Sequence, residues 1–355
     1  MSLLLVLFLA TSNPAGADTV PVHGIKVEQL AAGVYAVIRQ EPMALINESN
    51  SLFIVGDDDV VVVDAQSSVG RTQETIAAIR QVTRKPVSAV INTHWHDDHI
   101  FGNGVYRDSF PGVRFIAHAA SAEDLAATGV NSRAELDANR DGTRGFLLDL
   151  VSKGQSFSGN GPMNEEERVS HQAAAELVAD YGRTPPGYVP QAPTSLVQDS
   201  LVLRQGRRII RVLFLGRGHS RGDLVVHLPA ERVVAAGDLV MFPVQFVGTT
   251  SFPADFAETE DRLIALKPDR IVPGHGPVLQ GTAHAELISR MLHSLTDQVR
   301  AARARGETLE QVKASVKLDE FERGFAGDSQ ILKILFSYYV TTPAIQRAYE
   351  LSGTR

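Results

Sequence analysis

Asn-Thr-His-Trp-His-Asp-Asp-His, residues 92–99, carries the strongest chemical signal in the chain. It follows a run of apolar, β-branched residues typical of a buried strand. In extended backbone, residues two apart point the same way, so His94 and His96 can grip one cation. The turn that follows brings Asp98 and His99 beside them. If the three histidines and two carboxylates were buried without a metal, nothing would compensate for their mutual repulsion and lost hydration. The segment therefore predicts a metal site.

Three later motifs each offer one more candidate ligand beside a predicted strand. They are the glycine-rich turn 216–223 with His219, the strand end 235–238 with Asp238, and the turn 273–277 with His275. Each motif is weak alone, because a single histidine in a turn is more often a surface residue. A sheet sandwich would gather all of them with segment 92–99 at one edge.

The rest of the chain alternates strand-like runs with helical spacing. Strands are predicted at 33–38, 51–56, 60–64, 87–91, 201–203, 208–215, 223–228, 232–236 and 270–272, and helices at 69–83, 256–266, 283–303 and 330–350, the last broken at Pro343. Because the order of strands followed by a helix occurs twice, the pattern predicts an α/β fold, a four-layer αββα sandwich with helices outside both sheets.

Composition changes divide the chain further. We predict a signal peptide at 1–17, a catalytic domain formed by 18–118 and 200–280, a largely helical insertion at 119–199 that could act as a lid, and C-terminal helices over 281–355. The signal-peptide prediction depends on a short apolar run and on the small residues Ala15-Gly16-Ala17, although no basic residue precedes the run. It predicts a periplasmic or secreted protein.

Composition also excludes several classes of function. The 355 residues carry a formal charge of −7, with 44% hydrophobic and 21% charged residues, as in a soluble globular protein. This balance predicts no nucleic-acid partner and no stable membrane association. The absence of cysteine excludes disulfides, thiolate metal ligands and a cysteine nucleophile. A small-molecule substrate is the expected partner, and a homo-oligomer is left open.

The motif H-x-H-x-D-H, followed in order by Gly-His-Ser, Gly-Asp and Gly-His-Gly, resembles the metallo-β-lactamase superfamily over about residues 25–280. The resemblance implies a first metal held by His94, His96 and His219. It implies a second metal held by Asp98, His99 and His275, with Asp238 bridging both. Asp64, at the end of the strand 60–63, matches the family's supporting aspartate.

Imidazole and carboxylate ligands without a thiolate favour two Zn²⁺ per chain, with manganese and iron as alternatives. Two close cations would lower the pKa of a shared water from about 15.7 towards 7 and produce a hydroxide nucleophile. Asp98 is the predicted catalytic residue, because it lies where it can orient that water and take its proton.

The predicted function is therefore a secreted di-zinc hydrolase of an activated amide or ester, with β-lactam hydrolysis as the specific hypothesis. Two departures matter: Asp238 stands where the best-known β-lactamases have Cys or Ser, and Met241 stands where those with Cys carry a substrate-binding Lys. Arg217 and Arg221 could supply the missing cation. An aspartate bridge resembles glyoxalase II-like thioesterases, lactonases and phosphodiesterases, and these are the alternatives. A mononuclear iron persulfide dioxygenase and a metal-free binding protein are the remaining ones.

Overall fold

A computed structural model describes residues 19–22, 24–184, 188 and 191–352. The predicted signal peptide at 1–17 lies outside the described residues. Among the described helices, none is long and apolar enough to cross a bilayer.

Two sheets form the centre of the molecule. The first contains β1 Thr19–Val22, β2 Ile25–Ala31, β3 Val34–Arg39, β4 Ser51–Val55, β5 Val60–Val63, β6 Val87–Ile91, β7 Arg114–His118 and β8 Ser195–Val197, in that spatial order. The second runs from β14 Leu279–Gln280 through β13 Arg270–His275, β12 Val233–Met241, β11 Leu224–Leu228 and β10 Arg208–Phe214 to β9 Ser200–Gln205. Neighbours from β1 to β5 are antiparallel, and those from β5 to β8 are parallel.

Helices cover the sheets and form the insertion and the C-terminal part. They are α1 Val69–Val82, α2 Asp97–Ile100, α3 Asn103–Ser109, α4 Ala119–Asp124, α5 Val130–Lys153, α6 Glu165–Tyr181, α7 Pro253–Ala265, α8 Ala283–Ala304, α9 Leu309–Ser315, α10 Asp319–Ala326, α11 Gln330–Phe336 and α12 Thr342–Leu351. Single π-helical turns, Leu125–Gly129 and Ser337–Thr341, join α4 to α5 and α11 to α12.

Burial of both faces explains why the central strands are continuous apolar runs. All four valines of β5 are buried, and so are all nine residues of β12. Alternate side chains such as Ile54, Ile91 and Val226 pack between the two sheets. Opposite faces pack against outer helices, α1 on the first sheet and α7 with α8 on the second. The α/β sandwich with added helices that the pattern predicts is therefore confirmed.

Three local features differ from the sequence prediction. Strand β8 lies inside the range 119–199 but pairs with β7, so the end of the insertion belongs to the first sheet. The C-terminal helix changes character at the π-helical turn rather than at Pro343, which lies in the first turn of α12, where a missing N–H costs no hydrogen bond. Strand β12 continues past Ala236 because Gly237, at φ 53°, lets the backbone pass Thr93, where a Cβ would meet Oγ1 at 2.5 Å.

Candidate metal centre

Seven candidate ligands converge at one edge of the sandwich. His94 and His96 follow β6, Asp98 and His99 lie in α2, His219 lies in the turn between β10 and β11, Asp238 lies within β12, and His275 ends β13. Their ligand atoms form two groups, and within each group the atoms lie within 4.8 Å of one another.

The first group consists of three imidazoles and one carboxylate. His96 Nδ1 lies 3.0 Å from His94 Nε2 and 2.9 Å from His219 Nε2. One proton can bridge only one of these nitrogen pairs at a time, whereas a cation can accept all three lone pairs. His94 and His219 are buried, and His96 is partly exposed.

The second group combines two imidazoles with a carboxylate. Asp98 Oδ2 lies 3.3 Å from His99 Nε2 and 3.2 Å from His275 Nε2. His99 and His275 are buried, and the Asp98 side chain is partly exposed. This donor set, with two nitrogens and an oxygen, also suits a divalent transition metal.

Asp238 lies between the groups and offers a different oxygen to each. Its Oδ2 is 3.5 Å from His219 Nε2, and its Oδ1 is 3.2 Å from His99 Nε2 and 3.4 Å from His275 Nε2. The buried atoms His99 Nε2 and Asp238 Oδ1 have no hydrogen bond of good geometry to any described residue. Gly274 makes room for Asp238, because a Cβ there would lie 1.9 Å from Oδ1.

The two groups differ in their protonation. Burial and the neighbouring imidazoles lower the pKa of His94 well below its usual range and lower the pKa of His96 to about 3. In the second group burial opposes the charged form, but nearby carboxylates raise the pKa of His99 and raise the pKa of His275 to about 10. Cation binding requires neutral imidazoles, so a metal at the second group would have to displace the protons that these carboxylates favour.

Asp64 supports the second group from behind. Its Oδ2 is 2.8 Å from His99 Nδ1, and its Oδ1 accepts the backbone N–H of Thr93 at 2.8 Å. Asp64 has a left-handed backbone, φ 61°, which aspartate tolerates better than most residues. The hydrogen bond fixes which His99 nitrogen faces the cluster, as expected for a residue that orients a ligand.

Sequence reasoning missed the polar run Asn47-Glu48-Ser49-Asn50, which also supports the second group. The Glu48 carbonyl oxygen lies 3.0 Å from His275 Nδ1. Asn50 Nδ2 donates to the carbonyl oxygens of Pro273 and Gly276 at 3.0 and 2.7 Å and so holds the turn around His275. Burial raises the pKa of the Glu48 carboxyl to about 7. A wholly polar run between two buried strands was the available signal.

The two arginines predicted from the sequence, and one further histidine near the sheet edge, make contacts outside the two ligand groups. Arg217 pairs with Asp255, and Arg221 pairs with Asp124 at 2.7 Å. His118 accepts the backbone N–H of Ala120 at the start of α4 and is not part of either group.

The insertion reaches the first group. A cavity of about 340 Å³ lies beside His96, with Trp95 on one wall and Leu136 of α5 on another. Arg133 of α5 donates to the carbonyl oxygen of Ser67 at 2.8 Å and lies 3.3 Å from the Asp97 carboxylate. The start of α5 is thus attached directly to the histidine-rich segment.

Comparison with known proteins gives matches of three kinds. A family model described as the metallo-beta-lactamase superfamily matches residues 46–275, well over half of the chain. A linear primary-alkylsulfatase of a Pseudomonas species is 23% identical, over 77% of this chain and 50% of its own length. The chain thus spans only half of that relative. An acyl-coenzyme A thioesterase of Homo sapiens is 25% identical, over 64% of this chain and 73% of its own.

Solved structures share the fold. A metallo-beta-lactamase from Pontibacter korlensis superposes with a TM-score of 0.52 and 16% identity, over 76% of this chain and 99% of its own. The metallo-beta-lactamase FIM-1 from Pseudomonas aeruginosa, solved in a mono-zinc form, gives 0.51 and 18%, over 77% and 96%. At these identities the likeness concerns the fold.

Proposed function

Because the chain belongs to the metallo-β-lactamase superfamily, a family of metal-dependent hydrolases, we propose that it binds two zinc ions and cleaves an activated ester, thioester or amide. One observation carries the proposal: two adjacent donor groups share Asp238, which offers one carboxylate oxygen to each. This arrangement supports the bridging role that the sequence assigns to Asp238.

A bound metal ion explains these donor groups better than a metal-free site does. Three imidazole nitrogens face one another in the first group. Two further buried atoms, His99 Nε2 and Asp238 Oδ1, have no hydrogen bond among the described residues, so a cation would satisfy lone pairs that are otherwise unused. Nitrogen and carboxylate ligands suit zinc, and manganese and iron accept the same set. A metal-free binding protein would have to carry these groups uncompensated, which is costly.

Zinc ions in this position would supply Lewis acidity towards the scissile carbonyl and would acidify water at the site. The chain itself contributes positioning and proton transfer. Asp98 lies at the partly exposed side of the second group, where its carboxylate can orient the attacking water and accept its proton. Attack of that water on the carbonyl carbon breaks the bond to the leaving group, which takes up the proton.

The nature of the bond is inferred from the surroundings of the site and from the relatives. Arg217 and Arg221, which could have bound the carboxylate of a β-lactam, are held by Asp255 and Asp124, and Met241 is buried. Relatives named as a thioesterase and an alkylsulfatase favour ester-type substrates. We therefore rank esters and thioesters first and keep β-lactams as the second candidate. Export to the periplasm or the medium remains part of the proposal.

A substrate panel on zinc-loaded protein tests the proposal. It contains aryl esters, acyl thioesters, lactones, a phosphodiester, an alkyl sulfate and a β-lactam, each assayed with and without a chelator. We expect chelator-sensitive hydrolysis of the ester or thioester members. Preferred turnover of the β-lactam would reverse the ranking. One iron per chain together with oxygen consumption on a glutathione persulfide would replace hydrolysis by the dioxygenase alternative.

A further inference from the structure

We infer that the cavity beside His96 is a subsite for an uncharged alkyl or aryl group of the substrate; the inference rests on the proposed hydrolase function and narrows its substrate class. The cavity, of about 340 Å³, is bounded by the histidine-rich segment, by the start of α5 and by the loop after β12. It shares His96 with the first ligand group. A group in this cavity would therefore be attached close to the bond being cleaved.

Apolar side chains from all three segments form its walls. Trp95 packs edge-on against His96, with ring centroids 4.5 Å apart. Phe246 lies against His219, with ring centroids 5.5 Å apart, and Leu136 lines the cavity from α5. Two of the three apolar walls thus contact imidazoles of the first group. These three side chains offer apolar surface to an alkyl or aryl group, while Ser132, Thr249 and Thr250 add uncharged polar groups to the lining.

The charges around the cavity favour an uncharged occupant. Arg133 is the cation among the lining residues, and it already faces Asp97 at 3.3 Å and Asp137 at 3.1 Å. Its guanidinium stacks on Phe101 at 3.5 Å and on Tyr181 at 4.6 Å. The Nη2 nitrogen is buried and has no acceptor among the described residues. A carboxylate or phosphate would meet Asp97 without gaining a free cation.

The first experiment measures kcat/KM for p-nitrophenyl esters with acyl chains of two to eight carbons on the zinc-loaded protein. A buried methylene contributes about 0.8 kcal/mol, so we expect kcat/KM to rise about threefold to fourfold per carbon until the cavity is full. Leu136→Ala should flatten this rise while leaving the zinc content unchanged. Leu148→Ala is the matched control, because Leu148 lies on the same helix, exposed, and does not line the cavity.

A charged analogue tests the second half of the inference. We expect an ester with a terminal carboxylate on the same chain to react at least about tenfold more slowly than its methyl-terminated counterpart. A flat chain-length profile in the wild type, equal profiles for Leu136→Ala and Leu148→Ala, or a preference for the carboxylate ester would each overturn the inference.

A binding experiment with unreactive ligands tests the subsite independently of the proposed hydrolase activity. The only tryptophan of the sequence, Trp95, lines this cavity, so its fluorescence is a probe of the cavity. Titration with unreactive alcohols from ethanol to octanol should change the emission saturably, at lower concentrations for longer chains, and Leu136→Ala should weaken the effect. If alcohols bind in this way but no ester is hydrolysed, the hydrolase proposal fails and the subsite stands. If esters are hydrolysed while Trp95 is unaffected by any alcohol, the subsite is refuted.

Discussion

The two ligand groups differ in the contacts that the second nitrogen of each imidazole makes. In the second group, His99 Nδ1 lies 2.8 Å from the Asp64 carboxylate and His275 Nδ1 lies 3.0 Å from the Glu48 carbonyl oxygen. In the first group the corresponding contacts are longer, 3.3 Å from His219 Nδ1 to the Phe246 carbonyl oxygen and 3.4 Å from His96 Nε2 to Thr250 Oγ1. The second group is contacted by Asp64, which follows β5, and by Glu48, which precedes β4, while His96 and His219 of the first group contact a loop that also lines the cavity. We therefore expect the ligands of the second group to be held more rigidly than those of the first.

Removal of metal from both ligand groups should have the largest effect on activity. A chelator should reduce hydrolysis by the zinc-loaded protein to background, because neither Asp98 nor any imidazole replaces the Lewis acid. Elemental analysis before and after chelation should show two zinc ions and none, and added zinc should restore activity. One iron and no zinc in protein from its native host would refute the di-zinc hypothesis.

Loss of a shared ligand should cost more than loss of a terminal one. Asp238→Ala should lower occupancy of both groups, whereas His275→Ala should chiefly empty the second, because Asp238 offers one oxygen to each group. Zinc titration of both variants, followed by elemental analysis, measures this directly. Equal loss at both sites from the two substitutions would show that Asp238 does not bridge.

Asp64→Asn tests the difference between the groups, because it should weaken the hydrogen bond that orients His99 in the second group. Substitution of a residue that orients a ligand commonly lowers metal affinity about 10–100-fold. We expect this loss for the second zinc and little change for the first, and asparagine also tolerates the left-handed backbone at this position. Competition with a chromophoric chelator gives the two affinities. Asp58→Asn, in an exposed turn, is the control, and an equal fall in both affinities would contradict the expectation.

The smallest expected effect concerns a buried carboxyl behind the first group. Glu260 of α7 is buried, and neither of its oxygens has a hydrogen-bond partner among the described residues. Its helix supports the turn that carries His219, through a 2.8 Å bond from Thr259 Oγ1 to the Arg217 carbonyl oxygen. Burial and the nearby acids Asp261 and Asp223 raise the pKa of Glu260 well above its usual 4.5.

Because the folded state holds the Glu260 proton more tightly than the unfolded chain does, the contribution of this carboxyl to the free energy of unfolding falls as the pH rises above about 4.5. Glu260→Gln should remove this contribution and stabilise the metal-free protein more at pH 8 than at pH 4. Urea unfolding at both pH values measures it. Glu258→Gln, exposed on the same helix, serves as control. Parallel pH profiles for wild type and Glu260→Gln would refute the assignment.

Local sequence was sufficient to predict most of the fold and to point to four of the seven candidate ligands. Apolar runs such as Val60–Val63 have both faces buried, so hydrophobicity alone marks them as strands. His94, His96, Asp98 and His99 are adjacent in sequence, and their spacing carries the chemistry. His219, Asp238 and His275 needed the family's motif order, because each is ambiguous alone. That these seven residues are the metal ligands stays a prediction, which the metal titrations address.

Contacts between distant segments were beyond such reasoning. Asn50 meets the turn around His275, and Arg133 meets Asp97, across long stretches of chain, and neither residue has a local pattern that points to its partner. The substrate cavity likewise depends on how α5 packs against Trp95. The boundaries of the insertion and its role as a lid remain predictions, although residues of α5 line the cavity.

The separation of the ligands along the chain also has a consequence for biogenesis. Segment 94–99 leaves the ribosome with four of the seven ligands, and the remaining three follow between residues 219 and 275. At roughly 5–20 residues per second, the interval from His99 to His219 takes on the order of ten seconds. Until His219 emerges, a nascent chain presents only two of the proposed donors of each group, His94 with His96 and Asp98 with His99, and completes neither. If the groups bind metal as proposed, we expect loading only after the segment with Asp238 has emerged, and a chain truncated before β12 would lack the carboxylate that the two groups share.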